Sequence, residues 1–439
     1  MNDLSYEAYR DTVKTARVLT YGGVVLDIVG LLIESSGPKV RMGEICKLIP
    51  PSGIPILGEA VGFKDGRVLL MPYGDLDGIA PGSTVLGTGK QLLVAAGDGM
   101  LGRVVDALGF PMDRKPSWAV EAYYPTMERP PAPLDRGRID RPLATGVRSI
   151  DGLLTLGEGQ RIGIFSGSGV GKSTLMGMIA RNTSGDVNVI GLVGERGREV
   201  KEFIDRDLGE EGLRRSVVVV ATSDEPALMR IKAAWVATAV AEYFRDEGRS
   251  VLLMMDSITR WCMALREVGL ATGEPPTTRG YTPSVFASLP KLLERAGRSL
   301  RGSITGIYTV LVEGDDMDEP IADAARGILD GHIVLSRDLA QIGHYPAVDV
   351  LASVSRLMTQ VAGEEQQEAA QKMRSTLATY RKAEDLINIG AYVRGSNPRI
   401  DESIGYIDKV NQFLRQAVPE KFTFDETVSR LKSVFGAAI

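Results

Sequence analysis

The residues most able to do chemistry lie in one run, Ser166-Gly167-Ser168-Gly169-Val170-Gly171-Lys172-Ser173. Three glycines let a backbone turn tightly and aim its N–H groups at phosphates. Lys172 adds a point charge for β- and γ-phosphates, and Ser173 a hydroxyl suited to Mg²⁺. The usual first glycine of such a loop is Ser166 here, a small-residue variation at the loop's entry. The run follows apolar Ile162, Ile164 and Phe165 and precedes Leu175, Met176 and Ile179. Strand, glycine loop and helix in that order are the setting a phosphate-binding loop needs. A second candidate is Asp256, which ends the apolar stretch Val251-Leu-Leu-Met-Met. A buried strand tip is a stiff place to hold a carboxylate against hydrated Mg²⁺. A third is Gly194-Glu195-Arg196, after the apolar run Val187–Val193. Glu195 there could polarise a water, and Glu199, one helical turn on, could hold metal-bound water. Taken alone, Glu195, Arg198 and Glu199 read equally well as a solvated charge cluster at a helix start.

The elements that must position these residues follow from composition and periodicity. The chain has 439 residues, 44% of them hydrophobic and 24% charged, with net charge −5. That is ordinary globular usage, enough for two to four domains, with no global attraction for nucleic acid or an anionic membrane. Cys46 and Cys262 lie far apart, and with two histidines in all, a zinc site is not expected. No signal-peptide core and no spanning apolar segment is evident, so a cytoplasmic chain is expected.

Residues 1–20 read as an amphipathic arm, with Leu4, Tyr9, Val13, Ala16 and Val18 among charges. Residues 21–92 carry short Val/Ile/Leu runs (24–33, 41–48, 68–71, 84–86) between Gly, Pro, Asp and Ser, and predict a small β-barrel. Residues 93–139 read as a turn-rich connector ending in a stiff linker marked by Pro125, Pro130, Pro131 and Pro133. Residues 140–363 alternate strand-like runs (161–165, 187–193, 217–221, 251–255, 304–312, 333–335) with helical stretches. One helix is expected after Asp224-Glu225-Pro226, with Leu228, Ile231, Trp235, Ala239 and Tyr243 on one face. This is the pattern of an α/β core with a mostly parallel sheet. Residues 364–439 predict a helical domain, with Ala369, Met373, Leu377 and Tyr380 as one stripe.

With these motifs in view, the chain resembles the rotary and secretion ATPases, the α/β subunits of ATP synthases and their type III export relatives. The resemblance rests on "GVRSIDGLLTLGEGQRIGIFSGSGVGKST", "GLVGERGREV", "VLLMMDSITRW", "GEPPTTRGYTPSVFASLP" and "GHYPAVDVLASVSR". It implies a RecA-like P-loop ATPase domain with Mg²⁺ and ATP. Gly167, Ser168, Gly169, Val170, Gly171, Lys172, Ser173 and Thr174 would then bind nucleotide, and Ser173, Asp256 and Glu199 would hold the metal directly or through water. It implies that Glu195 stands at the place of the catalytic glutamate, where non-catalytic subunits carry Gln. It places Arg196 beside that base, Arg260 near the γ-phosphate and Arg356 of "SVSR" at the arginine finger. Tyr345 of "HYPAVD" takes the place of the aromatic that stacks on adenine, with Phe422 or Phe424 a loose match for its other face, and His344 is expected to be structural.

A finger acting in trans makes each chain half of two sites, a heterologous contact that must close into a ring or run on as a filament. The resemblance implies a homohexamer. It also implies a peripheral-stalk-like regulator, a central-stalk-like coiled coil, a membrane export gate, and export chaperones and cargo as partners, near the inner face of the cytoplasmic membrane. An RNA translocase would need basic and stacking residues in its N-terminal module. Residues 1–92 hold only Tyr6, Tyr9, Tyr21, Phe63 and Tyr73 as aromatics, and no basic cluster surrounds them. Synthase β-subunits carry an acidic C-terminal lever, whereas "GAYVRGSNPRIDESIGYIDKVNQFLRQ" resembles the export ATPases. Within these, "VEGDDMDEPIADAARGILDGHIVLSRDLAQIGHYPAVDV" resembles the flagellar branch, with the virulence-secretion branch as the alternative.

Overall fold

The structure is a computed structural model that describes residues 22–312, 314 and 316–436. The expected arm at residues 1–20 lies outside the described residues. The chain divides into two compact units, the first built on residues 22–92 and the second on nearly all that follows.

The first unit is a closed barrel of β1 (Gly22–Val29), β2 (Leu32–Ser35), β3 (Ile45–Ile49), β4 (Ile56–Lys64), β5 (Arg67–Pro72) and β6 (Thr84–Gly87). The strand order is β1-β2-β5-β4-β3-β6, with every pair antiparallel. Closure leaves no free sheet edge. Val25, Ile33, Cys46, Leu48, Leu70 and Val85 fill the interior. The run read as 24–33 is two strands, because Gly30 turns the chain at φ +60°. The run read as 41–48 is extended only from Ile45, and β4 was not among the sequence-derived runs at all.

Residues 93–139 are more than a connector. β7 (Leu93–Ala96) pairs with β9 (Ala122–Pro125), and β8 (Arg103–Asp106) joins the main sheet as an edge strand parallel to its neighbour. Arg103 anchors this segment by donating to both Asp113 oxygens, at 2.6 and 2.8 Å. A short ladder of β10 (Pro142–Leu143) and β11 (Leu156–Gly157) follows.

The main sheet uses β12 (Arg161–Ser166), β13 (Val187–Glu195), β14 (Ser216–Thr222), β15 (Ser250–Asp256), β16 (Gly297–Arg298), β17 (Ser303–Leu311), β18 (Gly331–Leu335) and β19 (Val354–Ser355), besides β8. Its order is β19-β18-β12-β17-β15-β13-β14-β8, and β16 pairs with β17 off that path. All the pairings between β8 and β18 along the path are parallel; β16 and β19 run antiparallel to their neighbours. Strands covered on both faces read as continuous apolar runs, and β13 is buried along its whole length. The helix Ala227–Asp246 begins right after Pro226 and buries Leu228, Ile231, Trp235, Ala239 and Tyr243, as its periodicity predicts.

Three helices close the chain: Glu364–Asn388, Pro398–Leu414 and Phe424–Ser433. Asn397 caps the second, with Pro398 at its first position, and Thr423 and Glu426 form a capping box on the third. Ala369, Met373, Leu377, Val410, Phe413 and Leu431 share one apolar core with Ile164 of β12 and Met254 of β15. The C-terminal helices are therefore packed without a break onto the sheet that carries the strand ends.

Candidate active site

The C-terminal ends of β12, β15 and β13 bring the sequence candidates together. After β12, the chain turns through Gly169 (φ +79°) and Gly171 (φ +89°), conformations that favour glycine. The helix Lys172–Asn182 then starts with no side chain capping its first N–H groups. Those groups and the helix dipole make a place for phosphate. Ser166 is buried and has no positive φ, so nothing at that position requires glycine. Its carbonyl accepts from Val312 N at 3.0 Å, which ties the loop entry to the neighbouring β17.

Lys172 is held between two carboxylates. Its Nζ contacts Asp256 Oδ1 and lies 3.6 Å from Glu195 Oε1. Thr309 on β17 donates to Asp256 Oδ1 at 2.6 Å and so helps to orient that carboxylate. Sequence reasoning missed Thr309; its signal, a hydroxyl within the apolar run 304–312, is weak.

Glu195 is 8% exposed, and its Oε1 has no hydrogen-bond partner. Arg260 Nε is 3.2 Å away, close enough to attract but not aimed to donate. Burial pushes the Glu195 carboxyl up to about 7, the charge of Asp256 adds to this, and Lys172 and Arg260 oppose it. A buried acceptor without a donor, poised near neutral pH beside the phosphate loop, suits a group that holds and deprotonates water.

The other candidates are placed differently. Arg196 is exposed and pairs with Glu199 at 3.2 Å. Tyr345 is 46% exposed, and its ring would lie 3.4 Å from a Cβ added at Gly171, so an open aromatic face stands against the loop. Its carbonyl accepts from Gln416 N at 2.9 Å. Gln416 also accepts from Arg148 N and donates to Gly146 O, and this link was not evident from sequence. Phe422 lies against the guanidiniums of both Arg148 and Arg430, 4.5 and 4.6 Å from its ring centre. Burial lowers the His344 pKa to about 4, which leaves a neutral ring. Arg356 is not brought to this loop. It is exposed just past β19, where its N–H bonds to Asp330 O and Nη2 to Arg326 O.

The sequence matches the nucleotide-binding domain of the ATP synthase alpha/beta family over residues 146–355 and that family's beta-barrel domain over residues 25–89. Residues 362–433 match the T3SS EscN ATPase C-terminal domain. The flagellum-specific ATP synthase of Bacillus subtilis (strain 168) is 57% identical, over 94% of this chain and 95% of that protein. The chain belongs to the type III export branch of the ATP synthase alpha/beta family. The type 3 secretion system ATPase of Xanthomonas euvesicatoria is 51% identical, over 94% of this chain and 93% of its own. The assembled ATPase EscN from the type III secretion system of enteropathogenic E. coli superposes with a TM-score of 0.89, at 46% identity over 94% of this chain and 99% of EscN. EscN has also been seen in complex with its central stalk, EscO. The chain is thus an ATPase, with the barrel, nucleotide-binding and helical domains expected from its sequence, and its hydrolysis of ATP energises type III export.

Proposed function

We propose that this ATPase works at the interfaces of a homohexameric ring in the flagellar branch of type III export. The observation that carries the site assignment is the convergence of Lys172, Asp256, Glu195 and Arg260 at three strand ends, with Glu195 Oε1 ion-paired to both cations but accepting no hydrogen bond. In this reading, residues 167–174 wrap the phosphates and Tyr345 stacks on adenine. Glu195 takes a proton from the attacking water as its oxygen joins the γ-phosphorus. The bond to the β-phosphate oxygen breaks, giving ADP and phosphate, and Lys172 and Arg260 stabilise the charge on the transferring group. Arg196 orients Glu199 rather than touching substrate.

Mg²⁺ fits the donors present. Ser173 and Asp256 supply hard oxygen ligands, and Glu199 lies one helical turn from Glu195 in reach of metal-bound water. Among the described residues no cluster of three or more His, Cys, Asp or Glu could hold a metal. A partial oxygen set suits an ion that arrives with the substrate phosphates and keeps several waters. When bound, it neutralises β- and γ-phosphate charge.

Arg356 serves a neighbouring subunit's site. β19 runs antiparallel to β18, and Gly331 of β18 pairs with Ser355, which sets Arg356 at the level where β12 begins, not where it ends. A residue that cannot serve its own loop yet matches the finger motif is supplied in trans, a heterologous contact of the kind that the proposed ring closes. Central-stalk-like and peripheral-stalk-like proteins, an export gate, chaperones and cargo are the partners this role requires. No helix among the described residues is long and apolar enough to cross a membrane, in keeping with a peripheral cytoplasmic position at the inner membrane. The flagellar assignment draws on the 57% identity to the Bacillus enzyme against 51% to the Xanthomonas one. Deleting the gene and assaying motility, flagellin secretion and effector secretion together tests it. Lost effector secretion with intact motility would assign the chain to the virulence branch.

A further inference from the structure

Away from the phosphate loop, one cavity is walled by cations. It has a volume of 300 Å³, and Arg148, Lys409 and Arg430 line it together with Gln412 and Phe413; no acidic residue does. Lys409 and Arg430 are exposed at its mouth, whereas Arg148 is 7% exposed at its base. Arg148 and Arg430 both approach one ring, Phe422, at 4.5 and 4.6 Å, and the charge of Arg430 acts on Arg148. Arg148 Nε is buried and has no acceptor, while Nη2 reaches the carbonyls of Arg415 and Gln412. The carboxylate nearest Arg148 is Glu420, 3.8 Å from Nη2 and itself 44% exposed, while Glu426, one helical turn from Arg430, also feels that arginine's charge. Burial and the charge of Arg430 both push the Arg148 pKa down, and Glu420 only partly opposes them. A buried guanidinium with neither a close counter-ion nor a full set of acceptors is costly. An anion with several oxygens would correct both deficits at once.

We infer that this cavity is a second anion site, separate from the phosphate loop, which takes inorganic phosphate or a phosphomonoester on Arg148, Lys409 and Arg430. Guanidinium forks match phosphate oxygens, and three cations lining one cavity, with Lys409 Nζ over the Tyr406 ring at 5.6 Å, suit a dianion better than a single carboxylate. A cavity of 300 Å³ accommodates such a group with its waters, not a helix. The site is also connected to the nucleotide. Arg148 N donates to Gln416 Oε1 at 2.9 Å, and Gln416 N donates to Tyr345 O at 2.9 Å. An anion that draws Arg148 toward the cavity pulls on the segment that backs Tyr345, so occupancy shifts the KM for ATP. That coupling rests on the adenine-stacking role of Tyr345; anion binding itself does not.

The test uses the full chain carrying Lys172→Ala, which weakens phosphate binding at the loop, and measures thermal stability and calorimetric binding of inorganic phosphate. Sodium chloride at equal ionic strength serves as control. Phosphate is expected to raise the melting temperature of this variant, and adding Lys409→Gln and Arg430→Gln is expected to weaken phosphate binding at least tenfold. Both positions are exposed, so the triple variant should keep its fold, which circular dichroism checks. A parallel titration with glycerol 3-phosphate separates the sources: binding comparable to phosphate assigns a phosphomonoester, and none assigns inorganic phosphate alone. No phosphate response in Lys172→Ala, a response matched by chloride, or one untouched by the two added substitutions overturns the proposal. In the wild type, glycerol 3-phosphate would shift the KM for ATP while leaving kcat nearly constant. If binding is seen without that shift, the site stands and the Tyr345 coupling falls.

Discussion

If Arg356 completes the neighbouring subunit's site, two inactive proteins should repair one another. The distance makes the case for trans action. Arg356 N bonds to Asp330 O at 3.0 Å, and the Asp330 carboxylate accepts from Arg161 N, at the first residue of β12, at 3.0 Å. The phosphate loop leaves the far end of that strand. Five residue steps of about 3.3 Å put the two levels about 16 Å apart, beyond the reach of one arginine side chain. Arg356→Ala should therefore keep nucleotide affinity, measured with a fluorescent ATP analogue, and lose about 10³–10⁵ in kcat. Lys172→Ala should lose activity from the opposite side of the interface. In a ring assembled at random from equal parts of the two, a site works only when its loop comes from the Arg356→Ala protein and its finger from the Lys172→Ala protein. About a quarter of interfaces meet both conditions whatever the ring size. The mixture should thus recover about a quarter of the wild-type rate if sites act independently, at least about a hundredfold above either parent given the loss expected of each. Subunits carrying different tags confirm that mixed rings form, and phosphate release gives the rate. Mixed rings that hydrolyse no faster than the average of the two parents would refute action in trans, as would an Arg356→Ala protein of near-normal rate.

Other outcomes follow from single contacts. Glu195→Gln should bind ATP and lose about 10²–10⁴ in kcat by single-turnover assay, the worth of a positioned base; a loss below threefold removes Glu195 from that role. Because the base form is the carboxylate, kcat/KM should fall as pH drops below about 7, where the Glu195 carboxyl takes up its proton. The same shift acts on stability. A carboxyl raised from about 4.3 in the unfolded chain favours the nucleotide-free fold fully below that pH, and this contribution is lost as pH rises through the folded value. Glu195→Gln should then gain in melting temperature over wild type between pH 4 and 7 (about the span of the two values), and a constant difference counts against the shift. Elsewhere, Arg295 is fully buried, donates to Glu242 through Nε at 2.8 Å, and also contacts it through Nη2. Glu242→Ala leaves that guanidinium uncompensated and should cost about 3–5 kcal/mol in urea unfolding; a cost under about 1 kcal/mol would mean that the Thr126 carbonyl, 2.5 Å from Nη1, suffices alone.

How much of this was legible in the chain depends on what held each residue in place. Asp256 and Glu195 end strands buried on both faces, and an apolar run cut off by an acid is a local signal that reports its own context. The phosphate loop is local in the same way. β8 was read as connector because its four residues run straight into the turn-rich "DALGFPMD", sharing its Asp106, and only pairing with β14 makes them a strand. β4 escaped notice because Gly58 and Gly62 interrupt its pattern; at Gly58 an added Cβ would meet Met71 O at 3.0 Å, so the glycine serves a neighbouring strand rather than its own. Thr309 and Gln416 are of this second kind, ordinary residues given a purpose by partners 53 and 71 positions away in sequence. Arg356 goes one step further: resemblance alone singled it out, since an exposed arginine past a two-residue strand, with one guanidinium bond to the Arg326 carbonyl, gives no local signal. The residues that periodicity cannot find are those whose reason lies on another strand or another subunit. An arginine whose backbone is tightly bonded while its guanidinium is left at the surface is a sign of the second case, and it can be looked for directly in structures of this family.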